Sequence, residues 1–223
     1  MKWLETLVHV EDADWMERGE MSLQGIVDVP EGQVGDWVIG KMTLDREQSL
    51  HTMFAYKDRM VPAGSYTRLK EGGLTYMSDT PAEMADHVPL MTALQNNGGT
   101  QRVLVFGLGL GMVMEMLMEM HNSGRIELDH VLFIEKSQNV IDLVAPHYRA
   151  KYPDHFRVEC ADAFDYEPDD RCYEAVWIDI WAEACPDYAC DAELLMAQWH
   201  DHTDWVGCWM EDEMINPDPG SWM

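Results

Sequence analysis

A short glycine-rich segment is the strongest chemical signal in the 223-residue sequence. It reads Val103-Leu-Val-Phe-Gly107-Leu-Gly109-Leu-Gly111, which predicts a strand, a tight turn and then a helix. Glycines let a ligand approach the backbone closely, and a helix N-terminus offers free N–H groups. The dinucleotide fingerprint GxGxxG would require glycine at Met112, so the spacing disfavours a nicotinamide-dependent oxidoreductase. The structural alternative is a tight turn packed under a helix.

Acidic residues lie at the ends of three later segments that resemble strands. Glu135 ends the second strand, Asp162-Ala163 follows the third, and Asp179 lies near the end of the fourth. Open parallel sheets bind ligands at the carboxyl ends of their strands, so we expect these residues to share one site with the glycines. A carboxylate such as Glu135 can accept two hydrogen bonds from a ribose diol. The alternative for Asp179 is a carboxylate held by nearby backbone N–H groups.

Five short runs rich in β-branched and aromatic residues alternate with segments of helical periodicity, which is typical of an α/β fold with a parallel sheet. The predicted strands are residues 102–106, 130–135, 156–160, 174–180 and 204–210. The predicted helices are residues 112–121, whose methionines form a core stripe, 137–145, ended by Pro146, and 191–202.

Residues 1–79 contain more turn signals and predict a small, mostly β N-terminal extension, followed by the α/β core over residues 80–223. Residues 65–78 predict a β-hairpin that turns at Glu71-Gly72-Gly73. Thr80 and Glu83 form a capping-box pattern with Pro81 at the first helical position, which predicts a helix to about residue 95.

The composition gives the chain a strong negative charge. There are 41 acidic and 15 basic residues, a net charge of −26, and the 52 residues from Cys172 onward contain 12 acids and no Lys or Arg. Such a field repels phosphate backbones and anionic lipid, which disfavours direct nucleic-acid and membrane binding. No apolar run is long enough to span a bilayer and no secretory leader is evident, so we expect a cytoplasmic protein.

The cysteines predict free thiols rather than a disulfide framework. Five cysteines form no CxxC pair, and their number is odd. Cys185 and Cys190 precede His200 and His202, but this spacing does not match a structural zinc site. We therefore expect no metal centre.

Four segments together carry a family resemblance. The series VLVFGLGLG, LFIEKS, CADAFDY and YEAVWIDIW resembles the successive motifs of class I S-adenosylmethionine-dependent methyltransferases, most closely the spermidine synthase-like branch. This resemblance implies a Rossmann-like open parallel sheet and S-adenosylmethionine as cofactor. It places Gly107, Gly109 and Gly111 under the methionine and ribose part of the cofactor, and Glu135 at the ribose hydroxyls.

The same resemblance implies roles at the other end of the cofactor and at the acceptor. Asp162 would accept from the adenine amino group while the Ala163 backbone meets the ring. Asp179 would lie beside the acceptor and orient or deprotonate it. Trp181 could form an apolar or cation-binding wall for the acceptor, although core packing is the plainer explanation. Glu83 matches an acidic residue of the polyamine site, but it is already explained as a helix cap.

Departures from the family leave the function open. Aminopropyltransferases carry DxxD after the fourth strand, whereas this chain has Asp179-Ile180-Trp181-Ala182. We therefore expect methyl transfer to a small-molecule or basic protein acceptor. Aminopropyl transfer is one alternative, and a non-catalytic acidic protein that mimics nucleic acid is another.

The sheet is expected to stop at five strands, because only 13 residues follow Met210. The sixth and seventh strands usual in this class would then be absent. The last strand, residues 204–210, would form an edge that the N-terminal β portion or a second subunit must cover. A homodimer through this edge is one expectation.

Overall fold

The computed structural model describes residues 23–55, 61–168 and 173–215 of the chain. The N-terminal extension is a sheet of order β1-β4-β3-β2, with β5 paired to β4. Its elements are β1 Leu23–Gln24, β2 Gly32–Val34, β3 Trp37–Leu44, α1 Arg46–Ala55, β4 Gly64–Glu71 and β5 Leu74–Ser78. The predicted hairpin turn lies between β4 and β5, where Gly72 and Gly73 both have positive φ, as a two-residue turn requires. The helix α1 was not predicted.

The second sheet has five parallel strands in the order β10-β9-β6-β7-β8, which confirms the predicted Rossmann-like α/β fold. The strands are β6 Thr100–Phe106, β7 Glu127–Glu135, β8 Phe156–Cys160, β9 Tyr173–Ile178 and β10 Thr203–Cys208. β6 lies in the centre, so the glycine turn that follows it opens at the middle of the carboxyl edge. This is the topological switch point at which such sheets bind ligands.

Helices flank this sheet on both faces. They are α2 Pro81–Asp86, α3 Val88–Asn97, α4 Met112–Asn122, α5 Gln138–Lys151, α6 Ala189–Trp199 and α7 Glu211–Ile215. The five methionines of α4 at even positions from 112 to 120 are all buried, so the predicted core stripe is confirmed. Among the described segments, no helix is long and apolar enough to cross a bilayer.

Two helix predictions were wrong, and proline explains both. The single helix predicted from residue 81 to 95 is two helices that meet at His87, because Pro89 has no N–H to donate to the carbonyl of Ala85. The second predicted helix does not end at Pro146. α5 continues to Lys151, and its buried residues Val144 and Tyr148 on either side of the proline pack into the core. That packing offsets the one hydrogen bond that Pro146 removes.

The two sheets meet at α5 rather than at the last strand. β2 and β3 contact α5, and Asp28 Oδ1 accepts hydrogen bonds from Lys151 Nζ and His147 Nε2, both at 2.8 Å. β10 is an edge of the core sheet, as predicted. Among the described residues, no strand other than β9 pairs with β10, and residues 1–22 of the N-terminal portion lie outside the described ranges. Cover of this edge by the N-terminal β portion or by a second subunit stays a prediction.

Candidate functional site

A cleft of about 490 Å³ lies between the carboxyl edge of the core sheet and the β4–β5 hairpin. The predicted site residues that line it are Gly107, Gly109, Glu135, Asp162, Ala163, Asp179 and Trp181. These residues come from the ends of four strands that are separated in sequence. Two predicted residues, Gly111 and Glu83, do not line the cleft.

The three glycines of the turn are required for different reasons. All three have positive φ. A Cβ at Gly107 would lie 2.0 Å from the carbonyl oxygen of Asp179, and a Cβ at Gly111 would lie 2.1 Å from the ring of Tyr148. These two positions are therefore glycine because the chain packs against itself, as the structural alternative held. Gly109 faces the cleft, where the Sδ atom of Met77 would be 2.6 Å from its Cβ.

The carboxylate of Glu135 accepts hydrogen bonds from the backbone of this turn. Its Oε2 accepts from the N–H of Leu108 at 2.9 Å, and its Oε1 accepts from the N–H of Ser137 at 2.7 Å. Burial raises the pKa of Glu135, while these N–H groups and those of Gly109 and Lys136 oppose the rise. Glu135 thus joins the turn after β6 to the start of α5, in addition to lining the cleft.

Several N–H groups of the glycine turn are already bonded within the protein. Leu110 N–H donates to the Met77 thioether at 3.2 Å, and Gly111 N–H donates to the carbonyl of Leu108 at 2.8 Å. A thioether is a weak acceptor, so the Leu110 amide is the one that a ligand can most easily recruit. The acceptors for Leu108 and Leu110 come from β7 and β5, which are distant in sequence, whereas the acceptor for Gly111 lies within the turn. Free N–H groups at the start of α4 stay a prediction.

One end of the cleft is built around Asp162. Lys136 Nζ lies 2.6 Å from Asp162 Oδ2, and Phe164 N–H donates to Asp162 Oδ1 at 3.1 Å. The hydrogen bond with Lys136 lowers the pKa of Asp162, so the carboxylate is ionised at neutral pH. Ala163 is buried beside it, and the ring of Phe164 is 42% exposed at the rim. This end offers a fixed acceptor next to a flat apolar surface.

The middle of the cleft holds a carboxyl group with a strongly raised pKa. The Asp179 side chain is 9% exposed, and His87 Nε2 lies 3.9 Å from its Oδ2. Burial, together with the charges of Glu83, Asp86 and Glu135, raises the pKa of Asp179 to about 8. A group with this pKa is mainly protonated at pH 7, and it can accept a proton from a ligand just above neutrality.

Glu83 makes one bond of the predicted capping box, through its N–H to Thr80, whereas its carboxylate accepts from Ser78. Its Oε1 and Oε2 accept from the hydroxyl and N–H of Ser78 at 2.5 and 2.7 Å, and its own N–H donates to Thr80 Oγ1 at 3.4 Å. Glu83 does not line the cleft, and direct substrate contact stays a prediction. Its charge adds to burial in raising the pKa of Asp179.

Sequence reasoning missed an aromatic wall at the other end of the cleft. Trp37 and Tyr76 come from the N-terminal sheet, and Tyr188 follows β9 together with the predicted Trp181. The ring centroids of Trp37 and Tyr76 are 4.8 Å apart, and those of Trp181 and Tyr188 are 6.4 Å apart. Trp37 faces the cleft because the hairpin folds over the core sheet, a contact that no local pattern reports.

A possible metal cluster elsewhere is already filled by a lysine. Oxygen or nitrogen atoms of Asp28, Glu115 and His147 lie within 4.8 Å of one another. Lys151 Nζ lies 2.8 Å from Asp28 Oδ1 and 2.7 Å from Glu115 Oε1. The cluster is therefore a salt-bridge network between the N-terminal segment and the core.

Cys185, Cys190, His200 and His202 form no such cluster among the described residues. The four described cysteines have free thiols. Cys172 lies outside the described residues.

Solved methyltransferase structures are among the chains to which this structure is similar. No family model matches the sequence, and no curated protein matches it. A coclaurine N-methyltransferase bound to N-methylheliamine and SAH is 19% identical, and the match covers 62% of this chain and 38% of that chain with a TM-score of 0.43. An S-adenosylmethionine-dependent methyltransferase from Clostridium acetobutylicum is 13% identical, covering 54% and 45% with a TM-score of 0.37.

A phosphoethanolamine N-methyltransferase from Haemonchus contortus is 16% identical, covering 52% of this chain and 23% of that chain with a TM-score of 0.37. The matched region spans less than half of each of these three solved chains. Similarity of this degree assigns no activity to this chain.

Proposed function

We propose that this protein binds S-adenosylmethionine in the cleft and transfers its methyl group to an acceptor, which is a small molecule or a basic protein. The observation that carries the proposal is the convergence of Gly109, Glu135, Asp162 and Asp179 on one cleft at the carboxyl edge of the sheet. These residues follow four different strands, and the motif resemblance assigns each of them to a different part of the same ligand.

The residues fit the nucleoside part of this ligand. A carboxylate oxygen has two lone pairs, so each oxygen of Glu135 can accept from a ribose hydroxyl while keeping Leu108 or Ser137 as its N–H partner, if the N–H groups of Gly109 and Lys136 give way. Asp162, ionised and held by Lys136, can accept from an exocyclic amino group. Phe164 and Ala163 supply the apolar surface on which a purine ring can pack.

The residues at the methionine end can hold S-adenosylmethionine only if the Met77 side chain moves. Gly109 leaves room beside the turn, but Met77 fills this space and bonds the Leu110 N–H. The side chain of Met77 must move before a ligand carboxylate can reach that N–H. Bound S-adenosylmethionine would supply an electrophilic methyl group, so the protein needs mainly to position the acceptor. Asp179, with its raised pKa, is the residue proposed to orient the acceptor or take its proton.

Calorimetric titration tests the cofactor directly. S-adenosylmethionine and S-adenosylhomocysteine should bind the wild type, whereas NADH should not. Glu135→Ala should abolish binding, and Glu127→Ala at the exposed opposite end of β7 should leave it unchanged. Decarboxylated S-adenosylmethionine separates the two transfer reactions, because tighter binding of this compound would favour aminopropyl transfer.

Loss of structure in the Glu135 variant would give the same result as loss of a contact. Asp162→Ala provides the second test, since Asp162 is partly exposed and holds no other strand in place. It should weaken binding about tenfold, the effect of losing one charge-assisted hydrogen bond. No heat with the wild type at millimolar ligand would refute the proposed function.

A further inference from the structure

The aromatic end of the cleft differs in chemistry from the end built around Asp162. We define the aromatic wall as Trp37, Tyr76, Trp181 and Tyr188, which all line the cleft and are all partly exposed. The two ring pairs of the wall come from different parts of the chain and line one cleft. The wall is therefore built by both the N-terminal sheet and the segment after β9.

Carboxyl groups lie near the aromatic wall. Asp179 and Asp191 line the same cleft, and Glu83 and Asp86 lie near enough to act on Asp179. Lys136 is the one Lys or Arg among the described residues that line the cleft, and it is bound to Asp162 at the opposite end. His87 is the imidazole that faces Asp179, at 3.9 Å. Asp179 is mainly protonated at pH 7, so the negative charge near the wall is that of Asp191 in the cleft and of Glu83 and Asp86 near Asp179. The wall thus combines partly exposed rings with nearby carboxylates.

We propose that this end of the cleft binds an organic ammonium ion, a nitrogen cation that carries alkyl groups. Ring faces attract cations through their quadrupole, and the attraction is strongest for cations that lose little hydration on binding. An alkylated ammonium ion meets this condition better than a primary ammonium group, which needs hydrogen-bond acceptors for three N–H donors. Nearby carboxylates add attraction at longer range.

A bound secondary or tertiary ammonium ion can act as the methyl acceptor only after its N–H proton passes to the ionised Asp179 carboxylate, which frees the nitrogen lone pair. The nitrogen–methyl bond would then form as the sulfur–methyl bond breaks and S-adenosylhomocysteine leaves. That step rests on the proposed function, but the binding of the cation does not. It is measured without S-adenosylmethionine, so a failed cofactor titration and a failed cation titration have separate meanings. Choline is a suitable probe because it is a small quaternary ammonium ion. Its neutral carbon isostere, 3,3-dimethylbutan-1-ol, has the same shape, and putrescine is a matched hydrated diammonium ion.

Saturation-transfer NMR and calorimetry should show choline binding in the millimolar range and its isostere at least about tenfold more weakly, as the loss of a cation–π contact requires. Trp181→Leu and Tyr188→Leu should each weaken choline binding about tenfold. Trp181→Phe keeps a ring and should retain most of the affinity. Leu194→Ala is the control, since Leu194 is 61% exposed on α6 and does not line the cleft.

Thermal denaturation of each variant distinguishes an unfolded protein from an altered site, and Trp181→Phe keeps the test decisive if the leucine variants do not fold. Equal binding of choline and its isostere would overturn the proposal, because the wall would then be merely apolar. Tighter binding of putrescine than of choline would also overturn it, since the carboxylates rather than the rings would then select the ligand. No choline binding by the folded wild type would have the same consequence.

Discussion

Replacing Asp179 by Asn should change the pH dependence of stability more than any other single substitution at the cleft. The pKa of this carboxyl is raised to about 8 in the folded protein, against about 3.9 for an unperturbed Asp. Between these two values the unfolded chain loses the proton and the folded chain keeps it. The wild type therefore loses stability as the pH rises from about 4 to about 8, and the loss is complete above the folded pKa.

The size of the effect follows from the shift. Each pH unit in this window costs about 1.4 kcal/mol of unfolding free energy, so the penalty at pH 7 reaches about 4 kcal/mol at most. The 9% exposure of the Asp179 side chain admits some water, which reduces the expected value to about 2 to 4 kcal/mol. Asparagine has the shape of a protonated carboxyl group and does not ionise. Asp179→Asn should consequently be more stable than the wild type at pH 7 to 8 and similar to it near pH 4.

Urea denaturation at pH 4.5, 6, 7 and 8.5 would measure the difference. Asp154→Asn is the control, because Asp154 lies in an exposed turn, and its unfolding free energy should run parallel to that of the wild type. The reasoning would be refuted by an Asp179→Asn curve that is also parallel to the wild type. That result would mean that Asp179 is ionised in the folded protein at neutral pH.

Further predictions concern the glycine turn, the methionine beside it and the edge of the sheet. Gly111→Ala should lower the unfolding free energy by about 3 kcal/mol, because the new Cβ would clash with Tyr148. Gly124 has the same φ of 73° but no atom near the position of a Cβ, so Gly124→Ala should cost only about 1 kcal/mol when both variants are compared by urea denaturation. Met77→Leu removes the thioether acceptor and should tighten S-adenosylhomocysteine binding about threefold by calorimetry, whereas weaker binding would mean that Met77 helps to hold the ligand. Sedimentation equilibrium should show a homodimer at micromolar concentration if a second subunit covers β10, and Thr203→Pro on that edge should reduce it.

The order of the elements could be read from the sequence because it depends on local patterns. β-branched runs bounded by turns located all five core strands, and the capping box located the start of α2 at Pro81. The end of α5 could not be read in the same way. Pro146 is a local signal for termination, but the buried residues on both sides of it belong to a helix face whose partner strands lie elsewhere in the chain.

The same distinction between local patterns and long-range contacts applies to the candidate site. Residues that follow a strand directly, such as Glu135 and Asp179, were assigned from position alone and do line the cleft. What these residues bind within the protein depends on the approach of distant segments. Met77, which accepts from the glycine turn, and Trp37, which belongs to the aromatic wall, both come from the N-terminal sheet. Nothing near either residue in the sequence indicates a ligand site.

A crystal structure with S-adenosylhomocysteine would test the central claim most directly. We expect the nucleoside in the cleft, with its ribose hydroxyls within hydrogen-bond distance of Glu135 and its adenine beside Ala163. The Met77 side chain should have moved away from the Leu110 N–H. Ligand density outside this cleft, or an empty cleft in crystals held at saturating ligand, would contradict the account.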